Sequence, residues 1–115
     1  MGSIKYDIDR YDYSIELQPT DEGKRKDTFA TIALFSGDKN VADVNILNPG
    51  IEPSRKYFSG HQLNIDLKYE KLAPLIDMLR NDKPLRLLIW FSGTAEDPKH
   101  IEARLDTGLL EDVGS

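Results

Sequence analysis

Apolar and polar positions alternate with a period of two through most of this chain, and one stretch with a helical period stands out against them. Tyr11, Tyr13, Ile15 and Leu17 fall on one side of an extended chain, with Asp12, Ser14, Glu16 and Gln18 on the other. That pattern predicts an antiparallel strand with one wet face. Residues 1–10 carry a weaker version, Ile4, Tyr6 and Ile8 against Lys5, Asp7 and Asp9, readable either as a short edge strand or as a loosely ordered lead. From Thr28 to Ser36 both sets are largely apolar (Phe29, Thr31, Ala33 and Phe35 on one, Ala30, Ile32 and Leu34 on the other), so this strand is expected inside a sheet. Gly37-Asp38-Lys39-Asn40 has turn chemistry, because Gly and Asn tolerate positive φ. Val41 to Leu47 then returns with Ala42, Val44 and Ile46 on one face, completing a hairpin.

Asn48-Pro49-Gly50 suits a type II turn, with Pro at i+1 and Gly at i+2. An irregular stretch to Gly60 follows, the longest in the chain and a natural place for function. Leu63, Ile65 and Leu67 alternate with polar residues over 62–68, predicting a half-buried strand. Leu72, Leu75, Ile76 and Leu79 recur at i, i+3, i+4 and i+7, one apolar stripe of a short helix over 71–81 with Pro74 in its first turn. Leu85 to Ser92 is apolar on both alternating faces and is expected to be covered from two sides, with Trp90 buried and Trp90→Ala expected to remove about 3–5 kcal/mol. Ile101, Ala103 and Leu105 alternate with Glu102, Arg104 and Asp106 in a final strand antiparallel to it. Residues 107–115 read as a loosely ordered tail.

These elements predict an α+β fold: a twisted antiparallel sheet of five to seven strands, sandwich or partial barrel, with one helix, in the order β-β-β-β-α-β-β. The whole chain, 1–115, is read as a single domain, a size that supports a hydrophobic core. Hydrophobic residues at 39% and charged residues at 30% suit a globular chain rather than a disordered one. The net charge of −5 sets up a field that repels phosphate backbones, so nucleic acid is disfavoured as a partner. With no cysteine, disulfides, thiolate catalysis and Cys-based metal centres are excluded. No apolar run approaches membrane-span length and no signal-peptide pattern opens the sequence, so a cytoplasmic protein without a membrane partner is expected. Met1-Gly2-Ser3 begins like a myristoylation site, but Tyr6 stands where Ser or Thr is wanted.

The sequence holds no nucleophile elbow, phosphate loop, dinucleotide fingerprint or zincin motif. Asp38, Asn40 and Asp43 lack the twelve-residue calcium-loop spacing. No catalytic residue, metal ligand or cofactor is assigned. Asp12 with Glu16, and Glu102 with Asp106, read as solvated strand faces. His61 and His100 each stand at the start of a predicted strand beside a loop. The candidate binding residues are basic and aromatic: Lys24, Arg25 and Lys26 in the first loop, then Arg55, Lys56, Tyr57 and Phe58 with nearby His61 in the long one. Cations interleaved with stacking rings are what single-stranded nucleic acid uses, and the strand order with one internal helix over 11–106 resembles an OB-fold, with 62–68 as one strand too many. The resemblance implies an OB-like nucleic-acid binder as an alternative. A pocket between helix and sheet, serving a small molecule, a metal or an enzyme reaction, is a further one. The principal expectation is a small non-enzymatic binding or assembly module, meeting a protein partner or a second copy of itself through a strand edge.

Overall fold

The computed structural model describes residues 2–17, 27–59, 62–94 and 96–108. Its strands are β1 (Gly2–Ile8), β2 (Arg10–Ile15), β3 (Thr28–Ser36), β4 (Lys39–Leu47), β5 (Lys56–Ser59), β6 (Gln62–Leu67), β7 (Leu85–Gly93) and β8 (Pro98–Asp106). A 3-10 turn (Tyr69–Lys71) leads into the helix α1 (Leu72–Asn81). The strands form two sheets, a smaller one ordered β1-β7-β8 and a larger one ordered β2-β3-β4-β6-β5. The α+β class with mostly antiparallel sheets is as the alternation predicts.

Period-two patterning places the core between the sheets. Ala30, Ile32 and Leu34 of β3, Ala42, Val44 and Ile46 of β4, and Leu63 of β6 face Leu85, Leu87, Ile89 and Phe91 of β7, all buried. Leu72, Leu75, Ile76 and Leu79 of α1 pack their stripe against this cluster, and Pro74 falls in the first turn, where its missing N–H removes no helical bond. At the predicted type II turn the Ile51 N–H donates to the Asn48 carbonyl at 3.2 Å, and Gly50 supplies the positive φ of 86° at i+2.

Three expectations are corrected, and the 1–10 segment takes the first of its two readings. The 1–10 segment is a regular edge strand, because Ile4, Tyr6 and Ile8 find cross-strand partners in Ile89, Leu87 and Leu85. The long 48–60 stretch contains β5, paired antiparallel to β6 from Lys56↔Ile65 to Ser59↔Gln62. β4 and β6 are parallel, since the chain steps from β4 across the end of β6 to the rim, forms β5, and returns to fill the gap between them. Finally, β7 is covered on one face only: Leu85, Leu87, Ile89 and Phe91 are buried, whereas Arg86, Leu88, Trp90 and Ser92 are half-buried. The OB-like alternative is not the architecture found, because eight described strands lie in two sheets with no closed barrel.

Candidate functional site

The basic and aromatic residues of the long loop are collected at one rim of the larger sheet. Arg55, Lys56 and Tyr57 line an open groove of about 680 Å³ together with Ser54 and Asn64. Tyr57 opposes Asn64 in the β5–β6 ladder and is 58% exposed. Phe58, one residue on, points the other way: it is 1% exposed and lies 5.8 Å from Phe91 between ring centroids, so it is a core residue rather than part of the groove. The alternation of a strand separates these two neighbours. Asp66 holds the approach to the groove, since its Oδ2 accepts the Arg55 N–H at 3.1 Å and its own N–H donates to the Arg55 carbonyl at 2.9 Å. Lys24, Arg25, Lys26 and His61 lie outside the described residues.

A second surface, not foreseen from the sequence, is the outer face of the smaller sheet. Cross-strand register sets three rows there: Asp7, Arg86 and Asp106; Lys5, Leu88 and Arg104; Ser3, Trp90 and Glu102. The Arg104 guanidinium lies 5.1 Å from the centre of a Trp90 ring, within cation–π range. Leu88 is flanked by two long cationic side chains whose stems can cover apolar surface. Trp90, Ser92, His100, Glu102 and Arg104 line a groove of about 730 Å³. A register shift beyond Trp90 places His100 at a bulge, with φ of 50°, and leaves it exposed. The signal available in the sequence was that Arg86 and Ser92 share Trp90's face of the strand, marking that face as the outer one.

Arg86 binds Asp106 with two hydrogen bonds, Nε to Oδ1 at 3.0 Å and Nη2 to Oδ2 at 3.3 Å. The hydrogen bond from Arg86 holds the Asp106 carboxyl below its ordinary value of 3.8, the Arg86 and Arg104 charges add to this, and partial burial opposes it. Because the folded value is depressed, the pair's stabilisation is fully present above 3.8 and is lost as pH falls through the lowered value. A carboxyl-carbon NMR titration is expected to find Asp106 titrating late, and Arg86→Gln to move its midpoint upward. An unchanged midpoint would contradict the assigned cause.

A small cavity lies between the helix and the sheets. It measures about 110 Å³ and is lined almost wholly by aliphatic side chains, among them Leu34, Val44, Ile65, Leu75 and Leu105, against roughly 300–1,000 Å³ for small-molecule pockets. Another cleft, of about 750 Å³ where β1 passes into β2, is lined by both signs of charge, Asp7, Asp9 and Asp82 with Arg10, Arg80 and Lys83. Among the described residues no three His, Asp or Glu side chains converge as metal ligands, and Asp12, Glu16 and Glu102 are solvent-exposed. No described helix is long and apolar enough to cross a membrane. Comparison of the chain with protein-family models, curated proteins and solved structures finds no match.

Proposed function

We propose that this protein is a small non-enzymatic binding module that acts through protein contacts in a cytoplasmic setting, with the outer face of β1, β7 and β8 as its contact surface. One observation carries the reading: the only tryptophan of the chain is half-buried at the middle of a sheet face and stacked by Arg104, beside Leu88 and its flanking cations. Trp and Arg are enriched at the energetic centres of protein interfaces. The row Lys5–Leu88–Arg104 suits a partner that offers an apolar side chain with carboxylates on either side. Arg55, Lys56 and Tyr57 support a single nucleic-acid strand as a second reading, because two cations and an exposed ring share one groove. The net charge of −5 weighs against it.

Site-specific photo-cross-linking tests the two readings together. A photoreactive side chain at position 88 is expected to give discrete protein adducts in cells. Those adducts should disappear in a Trp90→Ala, Arg104→Ala background and survive Tyr57→Ala. The partner so identified should shift Trp90 emission to the blue and protect it from acrylamide when titrated in purified form. No adduct at position 88, with nucleic acid captured instead from position 57, would replace the first reading by the second.

A further inference from the structure

A different surface lies on the opposite rim of the larger sheet from β5. β2 ends that sheet, and its ladder with β3 runs without interruption from Arg10↔Phe35 to Ile15↔Ala30. The Glu16 N–H donates to the Phe29 carbonyl at 3.0 Å. By the alternation of an antiparallel ladder, residues 10, 12, 14 and 16 therefore turn their backbone groups toward β3, and Tyr11, Tyr13 and Ile15 turn theirs outward. Natural sheets guard such edges with Lys, Pro, bulges or short length. The other described edges are guarded: β1 carries Lys5, β5 has four residues behind Pro53, and β8 has Pro98, Lys99 and the His100 bulge. β2 has no Lys, Pro or bulge between Arg10 and Ile15, and its charged residues Arg10 and Asp12 lie on its exposed face. Ile15 and Leu17, 45% and 90% exposed, sit at its end.

We propose that β2 pairs antiparallel with β2 of a second copy of this chain, about a two-fold axis at Tyr13. Side-chain chemistry selects this register. With Tyr13 opposite Tyr13, Tyr11 meets Ile15 on one face, an aromatic–β-branched pair. On the other face Arg10, whose guanidinium also donates to the Gly37 carbonyl at 2.6 Å and lies over the Phe35 ring, meets Glu16 twice by symmetry, and Asp12 meets Ser14. Moving the axis to Asp12 sets Asp12 against Asp12, and moving it to Ser14 sets Asp12 against Glu16, both like-charge pairs. An axis at Tyr11 shortens the overlap and requires Asp9, whose carboxylate is already committed to the Gly37 N–H at 3.0 and 3.2 Å. The pairing is independent of the Trp90 face.

The test is the association state of the full chain with a register probe. Sedimentation equilibrium should show a concentration-dependent monomer–dimer equilibrium, weakened by salt because the Arg10–Glu16 pairs are exposed. Glu16→Lys removes two favourable pairs and sets two cations opposite Arg10, and is expected to weaken association about tenfold. Ile15→Pro removes an outward N–H without touching the β3 ladder and should leave a folded monomer. Since the chain contains no cysteine, a single Tyr13→Cys should oxidise to a disulfide-linked dimer faster than Asp12→Cys or Ser14→Cys. A wild-type chain that stays monomeric at every concentration overturns the proposal. Fastest cross-linking from Asp12→Cys overturns the register, and in either case adducts through position 88 would stand unaffected.

Discussion

Replacing Phe58 with alanine is expected to cost about 3–5 kcal/mol of folding stability, the range for removing a fully buried aromatic ring. The ring is 1% exposed and meets Phe91 across the gap between sheets, with 5.8 Å between centroids and planes 30° apart. That contact joins β5, a rim strand of four residues, to the central strand of the other sheet. Phe58 is the buried side chain of that strand, and it anchors β5 to the core beside the strand's pairing with β6. Against a typical domain stability of 5–15 kcal/mol, such a loss is a large fraction of the whole. Urea denaturation should show a lowered midpoint with an unchanged slope, and Phe58→Leu should recover part of the loss by refilling the cavity. Trp90→Ala, by contrast, should cost less than Phe58→Ala, because one side of its ring stays partly in contact with water. If the two variants were equally destabilised, the placement of Phe58 inside and Trp90 outside would be wrong.

That inversion marks where the sequence was and was not legible. Local patterns reported themselves: the two apolar faces of β3, the Gly37 turn, the Pro49-Gly50 turn and the helical stripe with Pro74 at its start all depend on residues a few positions apart. What failed depends on neighbours far away in the chain. Leu88 and Trp90 look like a second buried face until Lys5 and Arg104 are seen to flank Leu88 from β1 and β8. Arg55-Lys56-Tyr57-Phe58 looks like one binding cluster until β6 supplies a ladder that turns Tyr57 out and Phe58 in. The parallel pairing of β4 with β6 has no local signal at all, since alternation is the same for either direction. For the candidate surfaces, chemistry was readable and orientation was not. Arg55, Lys56 and Tyr57 were found by residue type, whereas the Trp90–Arg104 stack needed the register of β7 with β8.

The parallel pairing also identifies the polar group whose loss should matter most. Asp66 lies on the outward side of β6 by alternation yet is only 3% exposed. It sits where the chain crosses the end of β6 on its way from β4 to β5. Its Oδ2 takes the Arg55 N–H at 3.1 Å, and its Oδ1 lies 3.5 Å from the Asn45 side-chain nitrogen. Arg55 continues the β5–β6 ladder at this point, since its carbonyl accepts the Asp66 N–H at 2.9 Å. Asp66→Ala strands the Arg55 N–H and the Asn45 amide together, and is expected to cost about 2–4 kcal/mol, combining a lost charge-assisted bond with newly unpaired donors. Asp66→Asn keeps one acceptor oxygen but turns an amide donor toward one of these donors, so it should fall between the wild type and Asp66→Ala. Hydrogen exchange separates this role from a general loosening: the Arg55 amide should exchange much faster in Asp66→Ala, while the Ile89 amide stays protected up to the global limit. Uniform acceleration of both amides, or a variant as stable as wild type, would mean that the crossing is held by something other than this carboxylate, and the groove formed by Arg55, Lys56 and Tyr57 would lose its argument for being preorganised.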